Sequence, residues 1–196
     1  MGTTWINILR FGHILTVVFM AWPLYALIAV NERGRLGSPL GDRADRYMEN
    51  IIKGQTIRCY IFQLTALVTG VALVYFRRMG LGSIITNWVL LAKSLLLGAL
   101  LWLLSYVHFN LQPKIDALFE QAGEGLVSGE IAAQIGTLRA TRKKLASICL
   151  FLVMTIVMLG LQVFIRFNPI LTLALLVLIG LFVWRAYRGP IRYGWI

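Results

Sequence analysis

Long apolar runs, rather than strict alternation or a one-sided helical rhythm, dominate this chain. Trp5–Val30 carries one arginine, one histidine and no acid, while Cys59–Phe76 and Leu145–Ile165 carry no charge. Pro169–Val183 is apolar almost throughout, and Ile84–Val107 is broken only by Lys93 and a few small polar residues. Each run meets or nearly meets the ~20 residues that cross roughly 30 Å of hydrocarbon at ~1.5 Å per residue. A soluble helical core would need helices with a polar face, and these runs have none. The pattern predicts an all-α, polytopic transmembrane helix bundle of about five spans, near residues 5–30, 58–76, 84–108, 145–165 and 169–186, in one membrane domain covering 1–196. The first run is longer than the apolar core of a signal peptide and no good small-x-small site follows it, so it is expected to be a retained anchor.

Between the spans, two segments keep a helical rhythm. In 41–57, Ala44, Tyr47, Met48, Ile51 and Ile52 follow the spacing of one helix face that runs into the second span. In 113–144, Ile115, Leu118 and Phe119 open a short helix after Pro113, and Ile131, Ile135 and Leu138 lead into the fourth span with Ser128 as an N-cap. These extensions are expected to pack together as a cap, or else to present a docking surface. Only Arg166-Phe167-Asn168-Pro169 separates the last two spans, and Asn-Pro is a turn signal that stops a helix. Trp5, Trp88, Trp184 and Trp195 fall near span ends, as interfacial aromatics do, whereas Trp22 and Trp102 lie deeper and are expected to pack against neighbouring helices. Pro23 is expected to kink the first span.

Composition agrees with the pattern: 59% of the 196 residues are hydrophobic, only 14% are charged, and mean hydropathy is +0.77. A soluble domain would carry about 25% charge. The distribution of that charge sets an expected orientation. Six Lys and Arg follow the first span, five lie between the third and fourth, and three lie in the tail, against Arg10, Arg77, Arg78 and Arg166 at the opposite ends of the spans. The positive-inside bias places the N-terminus outside and the C-terminus in the cytoplasm of a bacterial-type inner membrane. The net charge of +11 follows from this bias and from contact with anionic lipid, so no nucleic-acid partner is expected. The lipid bilayer is the expected partner, with other membrane subunits or further copies of the chain beside it. Cys59 and Cys149 have neither metal spacing nor a disulfide framework and are expected as free thiols.

All eight acids (Glu32, Asp42, Asp45, Glu49, Asp116, Glu120, Glu124 and Glu130) lie in the two segments between spans. This excludes an intramembrane carboxylate proton relay and oxygen-rich sites for hard cations there. It also leaves Arg10, His13 and Lys93 as intramembrane bases with no acid in their own spans. Arg10 and His13 are three apart on one helix face, and His13 and Lys93 sit at comparable depth, roughly 12 and 14 Å from the span starts. Three fates are open: snorkelling to headgroups, a structural polar network, or an anionic ligand such as a porphyrin propionate or a quinone-like oxygen, with His13 as ligand or donor. His108 lies roughly 20 Å or more from the level of His13, so the two cannot ligate one haem within the chain, and a single-histidine haem b remains open. Met154 and Met158, four apart, read as packing rather than a soft-metal site. With no phosphate loop, nucleophile elbow, zinc-protease or dinucleotide motif in the sequence, neither a catalytic residue nor a metal ligand is assigned.

A first span with a histidine in its outer third (Leu9-Arg-Phe-Gly-His-Ile-Leu-Thr), a third span with one lysine (Trp88-Val-Leu-Leu-Ala-Lys-Ser) and an Asn-x-x-Pro-Lys exit from Asn110 to Lys114 resemble the CopD-like superfamily. That group includes copper-resistance proteins and HemJ-type protoporphyrinogen oxidases. The resemblance covers roughly residues 5–165 and implies porphyrin chemistry at His13 and Lys93. The chain departs from the HemJ type in its fifth span and in lacking an arginine-rich exit after a Leu-Pro pair. The leading expectation is a non-catalytic subunit or accessory of a larger membrane assembly. A haem- or porphyrin-binding redox protein using His13, Lys93 and Arg10 is the alternative, and copper or small-solute transport a second.

Overall fold

The computed structural model describes residues 2–31, 40–123, 127–163, 165 and 167–188. Glu32, Arg33, Arg35, Glu124, Arg166, Arg192 and Trp195 lie outside the described residues. Among those described, the chain is helical with no strand: α1 (Gly2–Asn31), α2 (Arg43–Phe76), α3 (Ser83–Thr86), α4 (Trp88–Tyr106), α5 (Gln112–Ala122), α6 (Gly129–Gln162) and α7 (Pro169–Arg188), with a π-helical segment, Val107–Leu111, joining α4 to α5. Five helical stretches are long and apolar enough to cross a membrane, α4 and α5 counting as one.

The helices outrun the expected spans. α2 and α6 each have 34 residues, roughly 50 Å of helix against ~30 Å of hydrocarbon. The 41–57 and 113–144 segments are therefore largely the projecting ends of the second and fourth membrane helices. Asp42 caps α2 by accepting from the Asp45 N–H at 2.6 Å. Ser128 stands at the N-cap of α6 in extended conformation, but its hydroxyl makes no capping bond. Asn87 interrupts the third span. Its side chain accepts from the Val89 N–H at 3.0 Å, so α4 starts at Trp88. Lys93 then lies only about 8 Å along α4, nearer the helix start than a span from Ile84 implied.

Around α6, the most buried helix, α1 and α4 pack directly, and α2 closes onto α1. Val17, Met20, Leu24 and Ile28 of α1 meet Ala146, Leu150, Val153 and Ile156 of α6 in one core, with Ala66 of α2 and Leu100 of α4. α7 lies outside this group, seated on α6 through Val183 and on α1 through a Tyr25–Phe182 ring stack at 6.4 Å. Asn168 begins α7 by accepting from the Ile170 N–H, and Gln162 Nε2 donates to Thr172 Oγ1 at 3.1 Å across the hairpin. Cys59 and Cys149 are buried free thiols.

Two expectations about facing are corrected. Trp22 and Trp102 are 73% and 70% exposed and pack against no core. In lipid an outward indole costs little, because hydrocarbon is as apolar as a helix neighbour. On the projecting end of α2, Tyr47 and Met48 face outward while Asp45 and Glu49 are buried. The apolar rhythm was right for Ile52, which is buried, and wrong for Ala44, Tyr47 and Met48, because the acids find charged partners inside.

Those partners come from α6. Arg139 donates to both oxygens of Asp45, at 2.9 and 3.0 Å, and to Glu49 at 2.9 Å. Arg142, 1% exposed, forks onto both oxygens of Glu49 and donates to Gln112 Oε1 at 2.7 Å. Gln112 Nε2 in turn donates to Glu49 and to Asp116, and Lys53 pairs with Asp116 at 2.8 Å. Burial alone would raise the Glu49 carboxyl; the hydrogen bond and charge of Arg142, then Arg139 and Gln112, outweigh it and hold the group far below the usual carboxylate range. Matched forks of this kind satisfy buried charge that would otherwise be costly. The network joins α2, α5 and α6 at one end of the bundle, opposite the end where α1 begins. The expected cap is built of buried ion pairs.

Candidate cavity near the start of the first helix

At the other end, where α1 begins and α2 finishes, the helices part around a cavity of about 210 Å³. Its polar lining is Arg10 and His13 from α1, Arg77 from the end of α2, and Lys93 and Ser94 from α4. The rest is aliphatic, including Val17, Leu67, Val71, Leu97 and Ile156, with Gly70 and Gly160 among them. Among the described residues, no carboxylate lines it. The structure thus brings Arg10, His13 and Lys93 to one space and adds Arg77 and two glycines to its lining, with Thr69 behind His13, none of them singled out by the sequence. His108 is elsewhere, in the π-helical segment, edge-on to Tyr60 at 6.0 Å.

His13 Nδ1 lies 2.8 Å from Thr69 Oγ1. The Thr69 hydroxyl proton goes to the Thr65 carbonyl at 2.6 Å, the usual arrangement for a helical threonine. Thr69 therefore accepts, His13 donates from Nδ1, and Nε2 keeps its lone pair for another partner. The imidazole occupies space that Gly70 leaves open: a Cβ there would stand 3.3 Å from His13 Cε1. Lys93 reaches α6, its Nζ 3.5 Å from where a Gly160 Cβ would be, an ordinary van der Waals distance. A glycine inside each apolar run, at the depth of the base it faces, is the sequence signal that would have found both contacts.

Chemically, the cavity offers an apolar body and several N–H donors clustered near one end, an arrangement suited to a molecule with an acidic head. For a tetrapyrrole, the donors fit: His13 Nε2 can ligate iron and Arg10 and Lys93 suit propionates. The space does not. Sites that enclose drug-sized ligands have about 300–1,000 Å³, and 210 Å³ holds only the edge of a macrocycle. For soft metals, Met154 packs against the main core and Met158 belongs to a second cluster with Val89 and Leu159. The two methionines serve different contacts.

Fold and cavity together define a multi-pass helical protein of membrane-spanning type with a cation-lined apolar cavity close to one end of its bundle. No family model, curated protein or solved structure matches the chain.

Proposed function

We propose that this chain is a non-catalytic binding protein of a bacterial-type inner membrane, holding an apolar molecule with an acidic group in the cavity between α1, α2, α4 and α6. One observation carries the reading: Arg10, His13, Arg77 and Lys93 converge on an apolar space whose described lining contains no carboxylate. Ionisable side chains within a membrane are costly and are commonly retained for a ligand or a relay. The positive-inside bias puts the cavity in the outer leaflet and the ion-pair network in the cytoplasm. Porphyrin, suggested by the CopD-like resemblance, shares the required acid and apolar body but is larger than the 210 Å³ cavity.

Protein purified in mild detergent should carry a small acidic molecule, identified by mass spectrometry of an organic extract, and Lys93→Met should lose it. An absorbance spectrum of the same material separates a tetrapyrrole from other ligands. Wild-type protein that carries no acidic molecule and takes up neither porphyrin nor long-chain acid would overturn the proposal.

A second reading, a subunit of a larger membrane assembly, would seat a partner helix on α7. α7 buries only Val183 among its described side chains and leaves Ile170, Leu173, Val177, Leu178 and Leu181 outward. Other chains should then co-purify in mild detergent, and a monodisperse lone chain would argue against it.

A further inference from the structure

We infer that the cavity is filled sideways from the membrane, through the seam between α2 and α4, by a single-chain amphiphile with an acidic head. The inference rests on the binding reading above and specifies its ligand class and route.

The seam is the loosest in the four-helix group. α1 packs closely on both α2 and α6, and α4 packs on α6, but α2 and α4 touch sparsely. What contact they have includes the far end, where Tyr60 Oη and Ser105 Oγ are 2.9 Å apart and the Tyr60 ring meets His108. Toward the cavity, the side chains along the seam are Leu67 and Val71 of α2 and Leu90 and Ser94 of α4. Leu67 and Val71 of α2 and Ser94 of α4 line the cavity and are exposed, as are Ile14, Met79 and Leu161 elsewhere on its lining. Exposed lining on both sides of the sparse α2–α4 contact gives the cavity a sideways opening there. At this depth the surface is covered by lipid tails, so the opening admits molecules dissolved in hydrocarbon and bars hydrated solutes.

The geometry of charge then orients the occupant. Arg77 stands at the end of α2, and Arg10, His13 and Lys93 lie on the same cavity. An acidic head would meet N–H donors at that end while its chain ran between Leu67, Val71, Leu90 and Leu97. The volume agrees. A cavity of 210 Å³ takes in the head and the first part of an alkyl chain, the rest of a long chain lying in the seam among lipid tails.

The test uses the full-length protein in lipid nanodiscs with a long-chain carboxylic acid bearing a photoreactive diazirine on its chain. Adducts located by mass spectrometry should fall on cavity residues of α2 and α4. Ser94→Trp and Val71→Trp, which place an indole in the seam, should each weaken labelling about tenfold in apparent affinity. Leu95→Trp, on an exposed lipid-facing position of α4 outside the cavity lining, should leave it unchanged. Equal labelling in all three variants, adducts confined to other faces, or competition by a short water-soluble acid would overturn the inference. Retention of porphyrin, lost in Lys93→Met, with no fatty-acid adduct in the cavity would reject the single-chain ligand and keep the binding reading. Retention of neither probe would reject both.

Discussion

Lys93 extends from α4 to α6 and places its Nζ 3.5 Å from the position a Cβ of Gly160 would take. Gly160 lies within a regular stretch of α6, and the 3.5 Å spacing leaves room for a methyl group. Gly160→Ala makes an ordinary contact and should leave ligand retention near wild type. Gly160→Leu fills the place of the ammonium, and apparent affinity for an acidic amphiphile should fall about tenfold or more, as expected when a charged hydrogen bond is lost. Titration of both variants in nanodiscs with a fluorescent long-chain acid checks this. Equal affinities would mean that Lys93 does not bind from this position.

The His13–Thr69 pair makes a prediction of a different kind. Thr69→Val keeps the shape of the side chain and removes the acceptor at 2.8 Å from His13 Nδ1. In wild type, ¹⁵N NMR of selectively labelled histidine should show His13 protonated at Nδ1, with Nε2 the unprotonated nitrogen. In Thr69→Val that preference should weaken, because the tautomer follows the partner of the other ring nitrogen. An Nε2-protonated ring in the wild-type protein would reverse the assignment of donor and acceptor.

At the opposite end, Arg142 is the hinge of the ion-pair network. Arg142→Met removes both forks onto Glu49 and leaves a buried carboxylate, 3% exposed, with only part of its compensation. Breaking one side of such a pair typically costs about 3–5 kcal/mol. The double variant Arg142→Met/Glu49→Met should recover much of that loss, since neither charge then remains uncompensated by the other. Thermal unfolding in detergent of the two single variants and the double measures the coupling. Strictly additive losses would show that the forks contribute nothing as a pair.

How much of this was legible in the sequence differs between the two ends. The spans were legible because crossing lipid demands length and near-continuous apolarity, which any reader of Leu145–Ile165 can count. Arg10, His13 and Lys93 stood out for the same reason, as bases in apolar runs. Their glycine and threonine neighbours did not, since Gly70, Gly160 and Thr69 look like ordinary membrane-helix residues until the helices are side by side. The network misled more deeply. Asp45 and Glu49 are four apart, and Arg139 and Arg142 three apart, so each pair shares a helix face, but a rule that turns apolar side chains inward chose Tyr47 and Met48 along with Ile52, and of these three only Ile52 is buried. Specific pairing between distant segments decided the face, and one sequence does not display it.

Glu49 also sets an acid limit on stability. It faces Arg139 and Arg142 of α6 and Gln112 of α5, with Asp45 on its own helix bonded to the same Arg139, and Lys53 and Asp116 one hydrogen bond further out. Its carboxyl is held well below the ordinary glutamate value of about 4.3. A depressed folded-state value means that the folded protein resists protonation more than the unfolded chain does. The resulting stability is fully present above about pH 4.3 and drains away as pH falls below it toward the depressed value. Thermal unfolding in detergent should therefore give a midpoint that is flat with respect to Glu49 from neutral pH to about 5, then falls steeply with further acidification. Glu49→Gln should start lower at neutral pH, because two buried arginines lose charge compensation, and should fall less steeply below about pH 4.3. Parallel acid limbs for wild type and Glu49→Gln would place the acid sensitivity on other carboxylates and remove Glu49 from its role as the charged centre of the network.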